Sequence, residues 1–395
     1  MEMDISVARC VALCGFTLVT EWLVHWVYRW INPFCNGVLP PGSMGFPIIG
    51  ETLAFLKASP SLDIPDYFKL RMKRYGPVFK TSLLGQPAVI STDAEANRFI
   101  LQQEGTMFRL GYPRALTKIF GEKSIEAFHG TIHKFIRRCA YMLFGLQTLK
   151  ETLLPEMEAA VRERLAAWAA MPSVDVRGGA PDARKNIHKT LRDTLAERLS
   201  APGKIHGDLL DIIVEELQGE VPSISEDFAI DMLSTLLFAS VFTLSGTIAV
   251  AFKSLHDNPD VVHVTNEIIR ISNAGYTIPA GWLVIVNPMA VHLNGELFED
   301  PLKFNPWRWM DESKRSAMLK NFMPFGAGIR VCPAAEFVKL LVTLTLHVLV
   351  TEYLWEEMKQ TNVFRSGDVM FPQGYHIRLQ PQDDQLMHTY ANRKL

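Results

Sequence analysis

The sequence predicts a mainly α protein with a small β region, built as one large body without internal repeats. Two observations carry that reading. Long helix-like runs occupy residues 148–170, 183–199 and 224–255, while strand-like sequence is confined to a few short stretches. With 395 residues, 48% of them hydrophobic, the chain is also long and apolar enough to bury a large core.

Taken in order, residues 5–28 form the one candidate membrane span, interrupted by Arg9, Glu21 and His25. Its Leu, Ile, Phe and Val residues each favour insertion by about 0.3–0.6 kcal/mol, whereas a charge near the centre costs about 2.5–3.5, so insertion is favourable but marginal. Trp22, Trp26, Tyr28 and Trp30 suit a membrane interface. The alternative is a cleaved secretory signal, but Arg29 and a Pro/Gly-rich stretch follow instead of a small-residue cleavage site. Residues 1–30 are therefore expected to be an anchor. Glu2 and Asp4 on one side and Arg29 on the other weakly place the body in the cytosol. Residues 31–50 carry Pro33, Pro40, Pro41 and Pro47, which forbid helix and predict a stiff hinge.

Residues 78–84 and 88–91 flank Gly85-Gln86-Pro87 and read as a β-hairpin. From there to about residue 255 the chain is mostly helical, and strands are expected again at 276–278 and 282–286. The formal charge of −2 gives no reason to bind nucleic acid. Five cysteines show neither paired spacing nor a C-x-x-C signature, which fits a reducing compartment.

Cys332 stands apart, in Phe325-Gly-Ala-Gly-Ile-Arg-Val-Cys332-Pro-Ala-Ala-Glu336. A glycine-loosened loop there presents one thiol beside Arg330 and then enters an apolar, helix-like stretch starting near Ala334. A metal-bound thiolate needs N–H donors, a nearby cation and the positive end of a helix, and this run could supply all three. The arrangement suits a cysteinate bound to haem iron, against the duller reading of an inert buried cysteine.

The loop resembles the haem-binding loop of the cytochrome P-450 family, and two further matches stand in the right order. Glu267-Ile-Ile-Arg270 resembles the family's Glu-x-x-Arg, and Phe304-Asn-Pro-Trp-Arg308-Trp resembles the segment whose arginine completes that ion-pair network. From Leu39-Pro-Pro-Gly through Tyr75-Gly-Pro-Val to Phe371-Pro-Gln-Gly-Tyr375, the chain is similar to plant microsomal members that oxidise steroids, brassinosteroids and other terpenoids.

The resemblance implies a cytochrome P-450 fold with Cys332 as the metal ligand to haem (iron protoporphyrin) and Phe325 and Arg330 in the haem loop. His133 and Arg137 match the family's Trp-x-x-x-Arg, with histidine at the aromatic position. One turn apart, both could point donors at a haem propionate; a solvated basic helix face is the alternative. Thr243 matches the threonine of the oxygen-binding helix and is the candidate catalytic residue, but Phe242 replaces the preceding acid and cannot move a proton. Threonine in an apolar helix more often bonds back to a carbonyl, so both readings of Thr243 stand. Ala334 replaces a family glycine, and its methyl group crowds a close helix–haem approach.

The same comparison implies missing internal segments: between Arg270 and Gly275, along residues 255–263, and after Asp182. The fold is thus expected to be incomplete, with residues 51–395 as the haem-thiolate domain. Three functions remain open. One is an endoplasmic-reticulum monooxygenase with a single-pass anchor, taking a small apolar substrate, O2 and electrons from an NADPH-dependent reductase. A second is a truncated, non-catalytic form with poor haem binding. The third is a reductase-independent haem-thiolate enzyme that rearranges peroxides.

Overall fold

The computed structural model describes residues 2–109, 130–144, 153–176, 183–200, 208–220, 222, 224–257, 276–365 and 368–382. Helices dominate, as the long helix-like runs require. The chain begins with α1 (Glu2–Ile31), α2 (Thr52–Leu56) and α3 (Asp66–Tyr75), then the hairpin strands β1 (Val78–Leu83) and β2 (Gln86–Ser91) and helix α4 (Ala94–Gln102). Next come α5 (Gly130–Phe144), α6 (Leu154–Ala169), the short β3 (Val174–Asp175), α7 (Ala183–Ser200), α8 (Leu209–Gln218) and α9 (Glu226–Asp257). The last third holds β4 (Leu283–Val286), α10 (Pro288–His292), α11 (Glu312–Asn321), α12 (Ala335–Glu352), β5 (Tyr353–Glu357), β6 (Phe364–Arg365), β7 (Val369–Met370) and β8 (His376–Pro381).

The hairpin forms where the sequence places it. β1 and β2 pair antiparallel from Val78 opposite Ser91 to Leu83 opposite Gln86, and Leu84 and Gly85 turn the chain with positive φ. β4 adds to β2 in parallel, completing a three-stranded sheet. The strand expected at 276–278 is absent. Thr277 donates its N–H to the Val38 carbonyl at 3.0 Å, a single bond to the proline-rich segment that cannot propagate into a ladder.

The proline-rich segment after α1 contains no helix, and it lies against β1 through the bond from the Lys80 N–H to the Pro41 carbonyl. At its end, Glu51 accepts from Arg71 Nε at 2.7 Å and from the Thr81 hydroxyl at 2.8 Å. Burial alone would raise the Glu51 carboxyl, but the bonds from Arg71 and Thr81 outweigh it and hold the group below its ordinary range. α1 itself exposes Leu13, Phe16, Trp22, Val24 and Tyr28. Among the described residues, no helix is long and apolar enough to cross a membrane.

The main core lies where α6, α9 and α12 meet the sheet of β3, β8 and β5. Leu165, Phe252, Val348, Leu349, Tyr375 and Ile377 are buried there. Each such side chain contributes about 1.5–3 kcal/mol by leaving water. This cluster fixes α12, and so fixes the end of the loop that carries Cys332. A second cluster joins α7, α8 and the first turns of α9 through Leu195, Ile213, Phe228 and Ile230.

Candidate active site

The Cys332 loop is shaped by its glycines. Gly326 and Gly328 have φ of 78° and 67°, a region that L side chains rarely adopt, and a Cβ on Gly328 would lie 2.1 Å from the Leu101 carbonyl oxygen. The 3-10 turn Gly328–Arg330 can therefore press against the end of α4. The Cys332 N–H then closes the loop by donating to the Phe325 carbonyl at 2.9 Å. Cys332 is half-buried, and α12 starts three residues later, with Ala334 at its N-cap. The thiol thus sits before a helix N-terminus, where a negative charge is favoured.

α5 brings the other predicted residues to this loop. Arg137 Nη1 donates to the Val331 carbonyl at 2.8 Å, and its guanidinium lies 5.0 Å from the centre of the Tyr141 ring. One cavity of about 800 Å³ is lined by Glu104, His133, Lys134, Arg137, Arg138 and Arg330, together with nearby apolar groups. His133, Arg137 and Arg330 are thus brought together around a single space, as expected. Phe325, Cys332 and Thr243 do not line it. Phe325 is tied to Cys332 by the loop bond and lies under Lys339, whose Nζ is 5.7 Å from the ring centre.

Thr243 is exposed on α9, and its carbonyl accepts the Thr247 hydroxyl at 2.9 Å. The back-bonding pattern of hydroxyl side chains in apolar helices is therefore present one turn further on. Glu267 and Arg270 lie outside the described residues, as do the shortened stretch at 270–275 and the junction at Asp182. Arg308, whose expected network partners are Glu267 and Arg270, donates to the carbonyls of Glu299, Asp300, Lys303 and Asn305 and ties that loop together.

Two residues escaped the sequence reading. Glu104 accepts from Arg330 Nε at 2.8 Å and from Nη2 at 2.6 Å, and its side chain is only 9% exposed. A separation of 226 residues hides that pair from any local pattern. His292 accepts the Met323 N–H at 2.9 Å and so fixes the chain just before the Cys332 loop. Burial pushes its pKa from 6.5 down to about 4, so the ring stays neutral and its Nε2 remains an acceptor.

The donor set decides which group the site suits. One thiol before a helix N-terminus offers a soft anionic ligand, and four cationic side chains around a cavity, Lys134, Arg137, Arg138 and Arg330, offer partners for carboxylates. Haem carries both an iron atom and two carboxylates, and the residues present fit it.

Known proteins agree. The family model described as Cytochrome P450 matches residues 261–375. Cytochrome P450 87A3 of Oryza sativa subsp. japonica is 34% identical over 480 residues, covering 96% of this chain and 93% of its own. Cucurbitadienol 11-hydroxylase of Siraitia grosvenorii and beta-amyrin 16-alpha-hydroxylase CYP87D16 of Maesa lanceolata are each 31% identical, covering 93% of this chain and 98% of their own. A solved cyanobacterial CYP120A1 with bound retinoic acid shares the fold, with a TM-score of 0.71 at 21% identity over 88% of this chain and all of its own. The chain belongs to the cytochrome P450 family, with haem as its cofactor and monooxygenation as its chemistry.

Proposed function

We propose that this chain hydroxylates a small apolar steroid or terpenoid, using O2 and electrons from an NADPH-dependent reductase. One oxygen atom enters a C–H bond, the other leaves as water, and two electrons with two protons complete the balance. When bound, haem supplies the redox chemistry of iron with O2, and an axial thiolate favours O–O cleavage. Cys332 would hold the iron, while His133, Arg137 and Arg330 would hold the haem carboxylates. Thr243, on α9, would move protons.

The observation that carries the reading is the bond from Arg137 to the Val331 carbonyl, which binds the predicted carboxylate-binding helix to the backbone beside Cys332. The substrate class rests on the names of two relatives, one a hydroxylase of cucurbitadienol and one of beta-amyrin. α1 would serve as a single-pass anchor to the endoplasmic-reticulum membrane and residues 31–50 as its hinge, leaving residues 51–395 as the cytosolic haem domain. Exposed aromatic and aliphatic side chains along α1 support that placement.

A truncated form that turns nothing over is the second reading. The 480-residue span matched to the rice relative is longer than this chain's 395 residues, so the relative carries stretches that this chain lacks. Incubation with reductase, NADPH, O2 and a panel of triterpenoids and sterols tests the choice. Hydroxylated product supports the first reading. Little or no bound haem, with no product from any of them, supports the second.

A further inference from the structure

We propose that Glu104 is the positioning residue of the carboxylate-binding site: it grips one edge of the Arg330 guanidinium and sets the other edge toward the cavity shared with His133 and Arg137. The inference rests on the haem reading of that cavity.

The geometry is specific. A single oxygen, Oε1 of Glu104, takes both Nε at 2.8 Å and Nη2 at 2.6 Å, so the side edge of the guanidinium is held. Nη1 and the second proton of Nη2 lie on the end edge, the one that matches a ligand carboxylate in a two-bond fork. Both Glu104 and Arg330 line the cavity.

The pair is also well braced. Glu104 lies in a tight turn just after α4, where the Gly105 N–H donates to the Phe108 carbonyl at 2.8 Å and the Met107 N–H to the Gln103 carbonyl at 3.0 Å. The same end of α4 receives Gly328, whose missing Cβ allows contact with the Leu101 carbonyl. Backbone packing at Gly328 and the ion pair at Arg330 thus join the same two segments, three and two residues apart along their chains. Side-chain exposures of 9% for Glu104 and 18% for Arg330 keep the pair largely out of solvent, where its orientation is strongly preferred. The negative charge of Glu104 does not repel an anionic ligand from the cavity as a whole, because Lys134, Arg137, Arg138 and Arg330 outnumber it there.

Spectral titration of the haem-depleted full chain tests the role, using ferric haem and haem dimethyl ester, which has no free carboxylates. Glu104→Ala is expected to weaken ferric haem binding about tenfold, the loss of one well-set charge-assisted hydrogen bond, and to leave the ester unchanged. Glu104→Gln, which keeps an acceptor oxygen at the same reach, is expected to bind ferric haem within about threefold of the unmodified chain. In an Arg330→Ala background, Glu104→Ala is expected to add nothing. Equal weakening of both porphyrins would show a general structural role and overturn the proposal, as would unchanged or tighter ferric haem binding by Glu104→Ala. An unmodified chain that takes up neither porphyrin overturns the haem reading itself, and this inference with it.

Discussion

Arg137 and Val331 are joined by a 2.8 Å hydrogen bond across 194 residues of sequence, from the Arg137 guanidinium to the Val331 carbonyl. That bond holds α5 against the residue before Cys332. A second arm of the guanidinium meets the Tyr141 hydroxyl, so the side chain is fixed from both sides. Arg137→Ala is expected to cost about 1–2 kcal/mol of stability in the haem-free chain, as expected for a hydrogen bond from a charged donor, and to lower haem content. Urea melts and the Soret absorbance check both. Arg137→Lys should recover only part of the loss, because an ammonium cannot serve both partners in one plane. Unchanged melts and haem content for both variants would show that the bond does not hold the loop.

Cys332 and Cys139 provide an internal comparison. Cys139 is 2% exposed on α5, and burial pushes its thiol pKa up, which keeps it neutral and a poor ligand. Cys332→Ala is expected to abolish a thiolate-type carbon monoxide difference spectrum that Cys139→Ala preserves. Retention of that spectrum in both variants would refute the ligand assignment.

His292 makes the stability of the Cys332 region dependent on pH. Its folded pKa of about 4 lies below the ordinary 6.5, so the unfolded chain binds the proton more readily. The stabilisation is complete above 6.5, declines as pH falls and is lost once pH passes 4. The full effect is about 3.5 kcal/mol, the free energy that separates a pKa of 6.5 from one of about 4. His292→Gln offers an acceptor that does not titrate, and should flatten the decline in urea midpoint between pH 7 and pH 4.5. Identical pH profiles for the two proteins would rule His292 out as the cause.

Deleting residues 1–28 should shift the protein from the membrane pellet toward the supernatant, because it removes the exposed aromatic and aliphatic side chains that α1 would present to a bilayer. Fractionation in high salt and in carbonate measures it. An equal membrane fraction before and after deletion would remove α1 as the anchor.

Phe242 precedes Thr243 on α9, at the position where the resemblance leads one to expect an acid. Poorly directed proton delivery should waste reduced oxygen as peroxide in the unmodified chain. Phe242→Glu should raise product formed per NADPH consumed, provided the carboxyl finds a partner that offsets its desolvation. Tight coupling in the unmodified protein would assign the proton relay to another residue.

Local sequence was enough to determine the helices α6, α7 and α9, the hairpin and the identity of the Cys332 loop. Their signals are periodicity, turn residues and spacing, all of which act over a few residues. The family resemblance, rather than those patterns, marked His133 and Arg137 as donors to a haem carboxylate and Arg330 as part of the haem loop. Other features depended on chain segments that meet only after folding. The strand expected at 276–278 gave way to a single bond with Val38, because strand formation needs a partner in register rather than propensity alone. Glu104 became visible only when α4 packed against Gly328, and His292 only when its ring met the Met323 amide. The four carbonyls of its own loop that Arg308 holds likewise carried no signal in local sequence. A side chain's type sets what it can bind, but its partner is chosen by burial and distance, and those exist only in the folded chain.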